Sequence, residues 1–116
     1  MSDPRVTVVV PCYNEEATLQ ATLDELVGVL KEAPFTWEVI VVDDGSHDRS
    51  AEITLAYPEP GVRLVKHRNN QGSGQAIWTG VQHAHGTYVI YVPADGQFDH
   101  GEIPHFVQAA EDGADI

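Results

Sequence analysis

The sequence predicts an α/β domain: a mainly parallel sheet with helices on both faces. Three observations point to it. Short β-branched runs alternate with amphipathic stretches, the pattern of successive βαβ units. The runs are almost wholly apolar rather than alternating, as strands covered on both sides must be. Three of the four runs also end in dense polar sequence, as expected where loops gather at one edge of such a sheet.

Val6–Val10 reads as the first strand. Leu19, Leu23, Leu26, Val27 and Leu30 then recur at helical spacing, with Asn14, Glu15 and Glu16 as start signals. Trp37–Val42 is the second strand, and a weaker helix runs from about Asp48 to Ala56 and stops before Pro58. Val62–Lys66 is the third strand. The helix after it spans Gly74–Ala84, with Ile77, Val81 and Ala84 on one face. Thr87–Val92 is the fourth strand. A last helix starts near Gly101–Ile103, because Pro104 suits a first turn, and carries Phe106, Val107 and Ala110 inward. Trp37 and Trp78 are expected in the core or in helix packing. Gly113 is a helix stop, so Ala114-Asp115-Ile116 reads as the opening of a fifth strand and the domain is expected to continue.

The 116 residues suit one domain with a hydrophobic core, and the apolar share of 42% is that of an ordinary globular chain. No run approaches the ~20 apolar residues of a membrane span, and no leader pattern opens the chain. The expected location is the cytoplasm or the cytoplasmic face of a membrane. Cys12 is the single cysteine, which excludes an internal disulfide and a cysteine-built metal site; it reads as a small buried residue ending a strand. Eighteen acidic against six basic residues give a net charge of −12, which argues against nucleic acid or an anionic membrane surface as partner.

The chemistry concentrates in three strand ends: Pro11-Cys12-Tyr13-Asn14-Glu15, Asp43-Asp44-Gly45-Ser46-His47-Asp48 and Pro93-Ala94-Asp95-Gly96-Gln97-Phe98-Asp99. If the strands are parallel, Glu15, Asp43, Asp44, Asp95 and Asp99 converge. Two like charges 4 Å apart cost roughly 4 kcal/mol at an effective dielectric of about 20. A hard divalent cation resolves this, since Mg²⁺ takes one or two carboxylates and fills its shell with water and phosphate oxygens. The same ion lets an acidic site accept a diphosphate. Local structure alone offers alternatives. Asp44-Gly45-Ser46 with Asp48 also reads as a turn and helix cap, Asn14-Glu15-Glu16 as a helix start, and Asp95-Gly96 as a turn. Gln71-Gly72-Ser73-Gly74 could cradle phosphate at a helix N-terminus but lacks a full phosphate-loop pattern. No histidine pair has metal-site spacing.

Four blocks in order, Val-Val-Pro-Cys-Tyr-Asn-Glu-Glu, Val-Val-Asp-Asp-Gly-Ser-His-Asp, Asn-Asn-Gln-Gly-Ser-Gly-Gln-Ala and Ala-Asp-Gly-Gln-Phe-Asp, resemble glycosyltransferase family 2. Within it, the chain is most similar to the dolichol-phosphate mannosyltransferase-like and polyprenyl-phosphate glycosyltransferase branch. The resemblance implies a Rossmann-like GT-A fold, with residues 1–116 as the N-terminal nucleotide-sugar-binding part. By position it implies that Pro11, Tyr13 and Glu15 line the nucleotide pocket and that Asp44, with Asp43 beside it, contacts base or ribose. Neighbouring residues leaving a strand point opposite ways, so one of this pair should face the ligand, and Asp44 is the one chosen. Asp95 is implied as the ligand for Mg²⁺ or Mn²⁺ in the family's Asp-x-Asp element, with Gln97 beside the metal and phosphates. The sequence departs from the family at Pro93, which replaces the first acid of that element and cannot bind a cation; Glu15 or Asp99 could compensate.

The implied activity is transfer of a sugar, with inversion, from a UDP- or GDP-sugar to an acceptor. A polyprenyl phosphate acceptor would arrive ionised and need no general base. The competing expectation is a nucleotide-binding or scaffolding module of the same fold that has lost catalysis.

Overall fold

The computed structural model describes residues 3–96 and 98–113. In chain order the elements are β1 (Val6–Cys12), α1 (Leu19–Glu32), β2 (Trp37–Asp43), α2 (Ser50–Ala56), β3 (Val62–Lys66), α3 (Ser73–His83), β4 (Tyr88–Tyr91) and α4 (Ile103–Glu111), with a single 3₁₀ turn, His100–Glu102, leading into α4. The expected fifth strand, residues 114–116, lies outside the described residues.

All the strands pair in parallel, in the spatial order β3-β2-β1-β4. The chain builds outward from β1 to β3, then crosses back to lay β4 on the other side of β1. That reversal opens a crevice at the carboxyl ends of β1 and β4, where ligands bind in open sheets of this kind.

Strand alternation divides the core. Val6, Val8, Val10, Val39 and Val41 face α1, meeting Leu19, Leu23, Leu26 and Leu30 in the larger cluster. Val9, Ile40 and Val42 face the other way and meet Ala76 of α3. Small residues bring α3 close to the sheet: a Cβ on Gly80 would collide with the Val9 side chain. The buried face of α3 is therefore Ala76, Thr79 and Gly80 rather than the expected Ile77, Val81 and Ala84. Ala84 still packs at the margin of that cluster, whereas Val81 is exposed.

Other expectations also need correction. Helix α1 begins at Leu19, several residues after Asn14, Glu15 and Glu16. Those residues are engaged by the loop after β2, and Asn14 has φ +53, outside the helical region. Trp78 is 55% exposed instead of buried, while Trp37 packs against the larger cluster. In α4, Ile103 and Val107 form the inward stripe one turn apart, which turns Phe106 outward.

Strand β4 is short, and its only described pairing is with β1. Val89, Tyr91 and Phe106 are exposed along this side, around an apolar depression also lined by Tyr88 and Val107.

Candidate functional site: the cleft at the strand ends

Side-chain bonds to backbone groups tie the loops after β1 and β2 together. Asn14 N–H donates to Ser46 Oγ (2.9 Å), and Asn14 Oδ1 accepts from His47 N–H (2.9 Å). Glu15 N–H donates to Ser50 Oγ (3.1 Å) and Glu16 N–H to Asp48 Oδ2 (3.1 Å). In return, Glu16 accepts from Arg49 N–H (3.2 Å). Asp48 also accepts from Ser50 N–H at the start of α2 (2.9 Å). Burial alone would raise the Asp48 carboxyl, but these hydrogen bonds outweigh it and hold the group below its ordinary range. Asp48 thus caps a helix and joins two loops at once. The loop after β4 is tied in by the Thr18 hydroxyl, which donates to the Ala94 carbonyl (2.7 Å).

Asp44 draws in the loop between β3 and α3. Its Oδ1 accepts from Gln71 N–H (2.9 Å) and pairs with His67 Nδ1 (2.7 Å). Its Oδ2 accepts from Gly72 N–H (2.9 Å) and Asn70 Nδ2 (3.2 Å). Gly45 permits this approach. It sits at φ +78, and a Cβ there would come within 2.6 Å of the Asn70 nitrogen.

Together these loops enclose a cleft of about 300 Å³, at the lower end of small-molecule sites. Pro11, Tyr13, Glu15, Asp44 and Asp95 all line it, so five of the sequence-derived site residues meet in one place. Pro93, Asn70, Gly72 and Ser73 complete much of the wall. Asp43, expected beside Asp44, is not among the residues that line the cleft. Alternation turns it to the opposite side of the strand end from Asp44, where neither carboxylate oxygen finds a hydrogen-bond partner. Gln97 lies outside the described residues. Asp99 caps the 3₁₀ turn, accepting from Gly101 N–H (3.0 Å), and is not in the cleft wall. Burial pushes the Cys12 thiol up to about 11, so it is a packed strand residue and not a nucleophile at neutral pH.

His67 and Asn70 were missed in the sequence. The signal was available: a parallel β3 must also deliver its loop to this edge, and His67-Arg68-Asn69-Asn70 is as polar as the three loops that were singled out.

For a divalent cation, the donor chemistry is restricted. Among the described residues no three His, Cys, Asp or Glu side chains come together as a ready-made cage. Asp44 is met by four donors and the Pro93 side chain has no atom to ligate a cation; the cleft's other acids are Asp95 and Glu15. That set fits Mg²⁺ or Mn²⁺ held by one or two carboxylates and completed by phosphate oxygens and water.

The model of the glycosyl transferase family 2 matches residues 7–116. The chain belongs to glycosyl transferase family 2. Among curated family members, an undecaprenyl-phosphate 4-deoxy-4-formamido-L-arabinose transferase of Pectobacterium atrosepticum is 40% identical over 114 residues, covering 96% of this chain and 35% of that protein. A dolichyl-phosphate beta-glucosyltransferase of Trichomonas vaginalis is 43% identical over 102 residues, covering 82% and 30%. The chain thus spans about a third of the length of these relatives. Among solved structures, the mannosyltransferase PcManGT of Pyrobaculum calidifontis, in complex with GDP-Man and Mn²⁺, superposes with a TM-score of 0.70 at 29% identity over 88% of this chain and 30% of that one. The glucosyl-3-phosphoglycerate synthase of Mycobacterium tuberculosis, in complex with Mn²⁺, UDP and glucosyl-3-phosphoglycerate, gives 0.74 at 25% identity over 92% and 39%. The fold is that of the GT-A glycosyltransferases, as the resemblance implied. No described helix is long and apolar enough to cross a membrane.

Proposed function

We propose that residues 1–116 are the donor-binding part of a metal-dependent, inverting glycosyltransferase. Its donor is a nucleoside-diphosphate sugar. Its acceptor is a polyprenyl phosphate, the class named for the relatives from Pectobacterium and Trichomonas, met at the cytoplasmic face of a membrane. One observation carries most of the weight: Asp44 and Asp95, 51 positions apart in the sequence, line the same cleft at the switch point of the sheet.

Within that cleft Pro11 and Tyr13 offer apolar surface to a base, and the Asn70–Ser73 segment approaches with little side-chain bulk. Asp95 is the side chain that would hold Mg²⁺ or Mn²⁺, with Gln97 assigned beside it. When bound, the cation offsets the charge of the departing nucleoside diphosphate. Without it, Glu15 and Asp95 would repel a diphosphate in a chain that already carries −12. Asp44 orders the wall on the nucleotide side. An ionised phosphate acceptor removes the need for a general base, consistent with a cleft lined by no histidine among the described residues.

Calorimetry with UDP and GDP, with and without Mn²⁺, tests this. Binding heat should depend on the metal, and Asp95→Ala should abolish that dependence while leaving the fold intact. Binding that ignores Mn²⁺ in the wild type would overturn the metal assignment and favour the non-catalytic module, in which Pro93 marks a lost metal site.

A further inference from the structure

His67 sits behind the cleft and takes no part in its lining. Its side chain is 8% exposed, and both ring nitrogens are engaged. Nδ1 lies 2.7 Å from Asp44 Oδ1 and Nε2 lies 2.8 Å from the Thr79 hydroxyl on the buried face of α3. With the carboxylate as acceptor, Nδ1 donates; in the neutral ring Nε2 then accepts from Thr79. A buried run of hydrogen bonds therefore joins α3, the end of β3 and the end of β2.

The far end of this run is a carboxylate with about four acceptor positions, and four donors reach it. The His67 contact is the shortest, and the Asn70 contact, at 3.2 Å, the longest. Gln71 and Gly72 give Asp44 their backbone N–H groups, so the orientation of this carboxylate decides where the segment carrying Asn70, Gly72 and Ser73 lies against the cleft.

We propose that His67 is a positioning residue of the nucleotide cleft: through its Nδ1 contact it fixes the Asp44 carboxylate so that Asp44 clamps the Gln71–Gly72 backbone as the cleft wall. The proposal rests on the reading of this cleft as a nucleoside-diphosphate site. It assigns Asp44 a structural duty that comes before any contact with ligand. A ligand donor reaching Asp44 does so by taking the place of Asn70, the donor held at the greatest distance.

Three substitutions in the full chain separate positioning from mere filling of space. In His67→Asn, the carboxamide nitrogen hangs near the position of Nδ1 and can still serve Asp44. In His67→Gln, the longer side chain reaches toward Thr79 and not Asp44. His67→Leu serves neither. Amide hydrogen exchange at Gln71 and Gly72, followed by NMR without ligand, and affinity for UDP and GDP with Mn²⁺ are the readouts. Leucine and glutamine should speed exchange and weaken nucleotide binding roughly tenfold each, the order of one hydrogen bond to a charged group. Asparagine should keep both within about threefold of wild type, less than one such bond.

Unchanged exchange in the leucine and glutamine variants would overturn the clamp. So would an asparagine variant as impaired as leucine, since packing would then explain the loss. If the wild type binds neither nucleotide, the reading of the cleft falls; the exchange pattern across the three variants still decides whether His67 holds the wall.

Discussion

Asp43 and Asp44 leave the end of β2 side by side, 1% and 3% exposed, and meet opposite surroundings. Asp44 turns toward the α3 side of the sheet and collects a histidine, a carboxamide and two backbone N–H groups. Asp43 continues the alternation of Val39 and Val41, near Cys12 and beside a depression it shares with His47, Lys66 and Arg68, and finds no hydrogen-bond donor among the described residues. Burial is therefore not what distinguishes the two acids. A buried carboxylate costs stability unless donors meet it, and the direction of one Cα–Cβ bond decides which acid is met.

The largest effect that would break this contrast is expected from Asp44→Ala. It strands His67 and the Gln71 and Gly72 amides, so unfolding free energy should fall by about 2–4 kcal/mol, with nucleotide binding lost as well. Urea denaturation measures the first and calorimetry the second. A loss below that of an ordinary surface substitution would mean that the four bonds are not clamping the loop.

Asp43→Asn should act in the opposite direction. Replacing an acid that no described hydrogen-bond donor reaches should raise stability by about 1 kcal/mol and leave nucleotide affinity alone, as seen in the denaturation midpoint and binding heats. A destabilisation equal to that of Asp44→Ala would erase the distinction between the neighbours.

A second acid on β2 itself, Glu38, sharpens the comparison with a smaller effect. Burial tends to raise the Glu38 carboxyl, but hydrogen bonds from Thr7, the backbone and side chain of His85, and Arg63 prevail and hold it below its usual range. A lowered folded pKa contributes stability that is present above the ordinary carboxylate value of about 4.3 and is lost as pH falls through the folded value. Glu38→Gln should therefore lower stability at neutral pH and flatten the acid limb of a stability–pH curve, measured by urea denaturation, with variant and wild type converging at low pH.

Much of this was legible from local pattern. Apolar runs bounded by polar clusters placed β1 to β4 within a residue or two, because burial on both faces leaves a continuous signature. Parallel strands alone bring Glu15, Asp44 and Asp95 to one cleft, though not Asp43 and Asp99, and the family resemblance adds Pro11 and Tyr13. What escaped depends on partners far away in the chain. Asn14 to Glu16 carry good helix-start chemistry, yet Ser46, Asp48 and Ser50 claim their backbone instead. The inward face of α3 depends on how closely Gly80 lets it approach Val9, which no periodicity in α3 reveals. His67 looks like an ordinary polar loop residue until Asp44 and Thr79 are placed on either side of it.

Strand β4 carries a consequence for handling the protein. Its outer flank pairs with no strand among the described residues, and with Val89, Tyr91 and the nearby Phe106 open to water it is a template on which a further strand, from this chain or a second molecule, could be added. The surplus of twelve negative charges opposes that approach by mutual repulsion. Repulsion of this kind reaches only about 8 Å at physiological ionic strength, so dilute buffer opposes contact between copies along this flank and concentrated salt weakens that opposition.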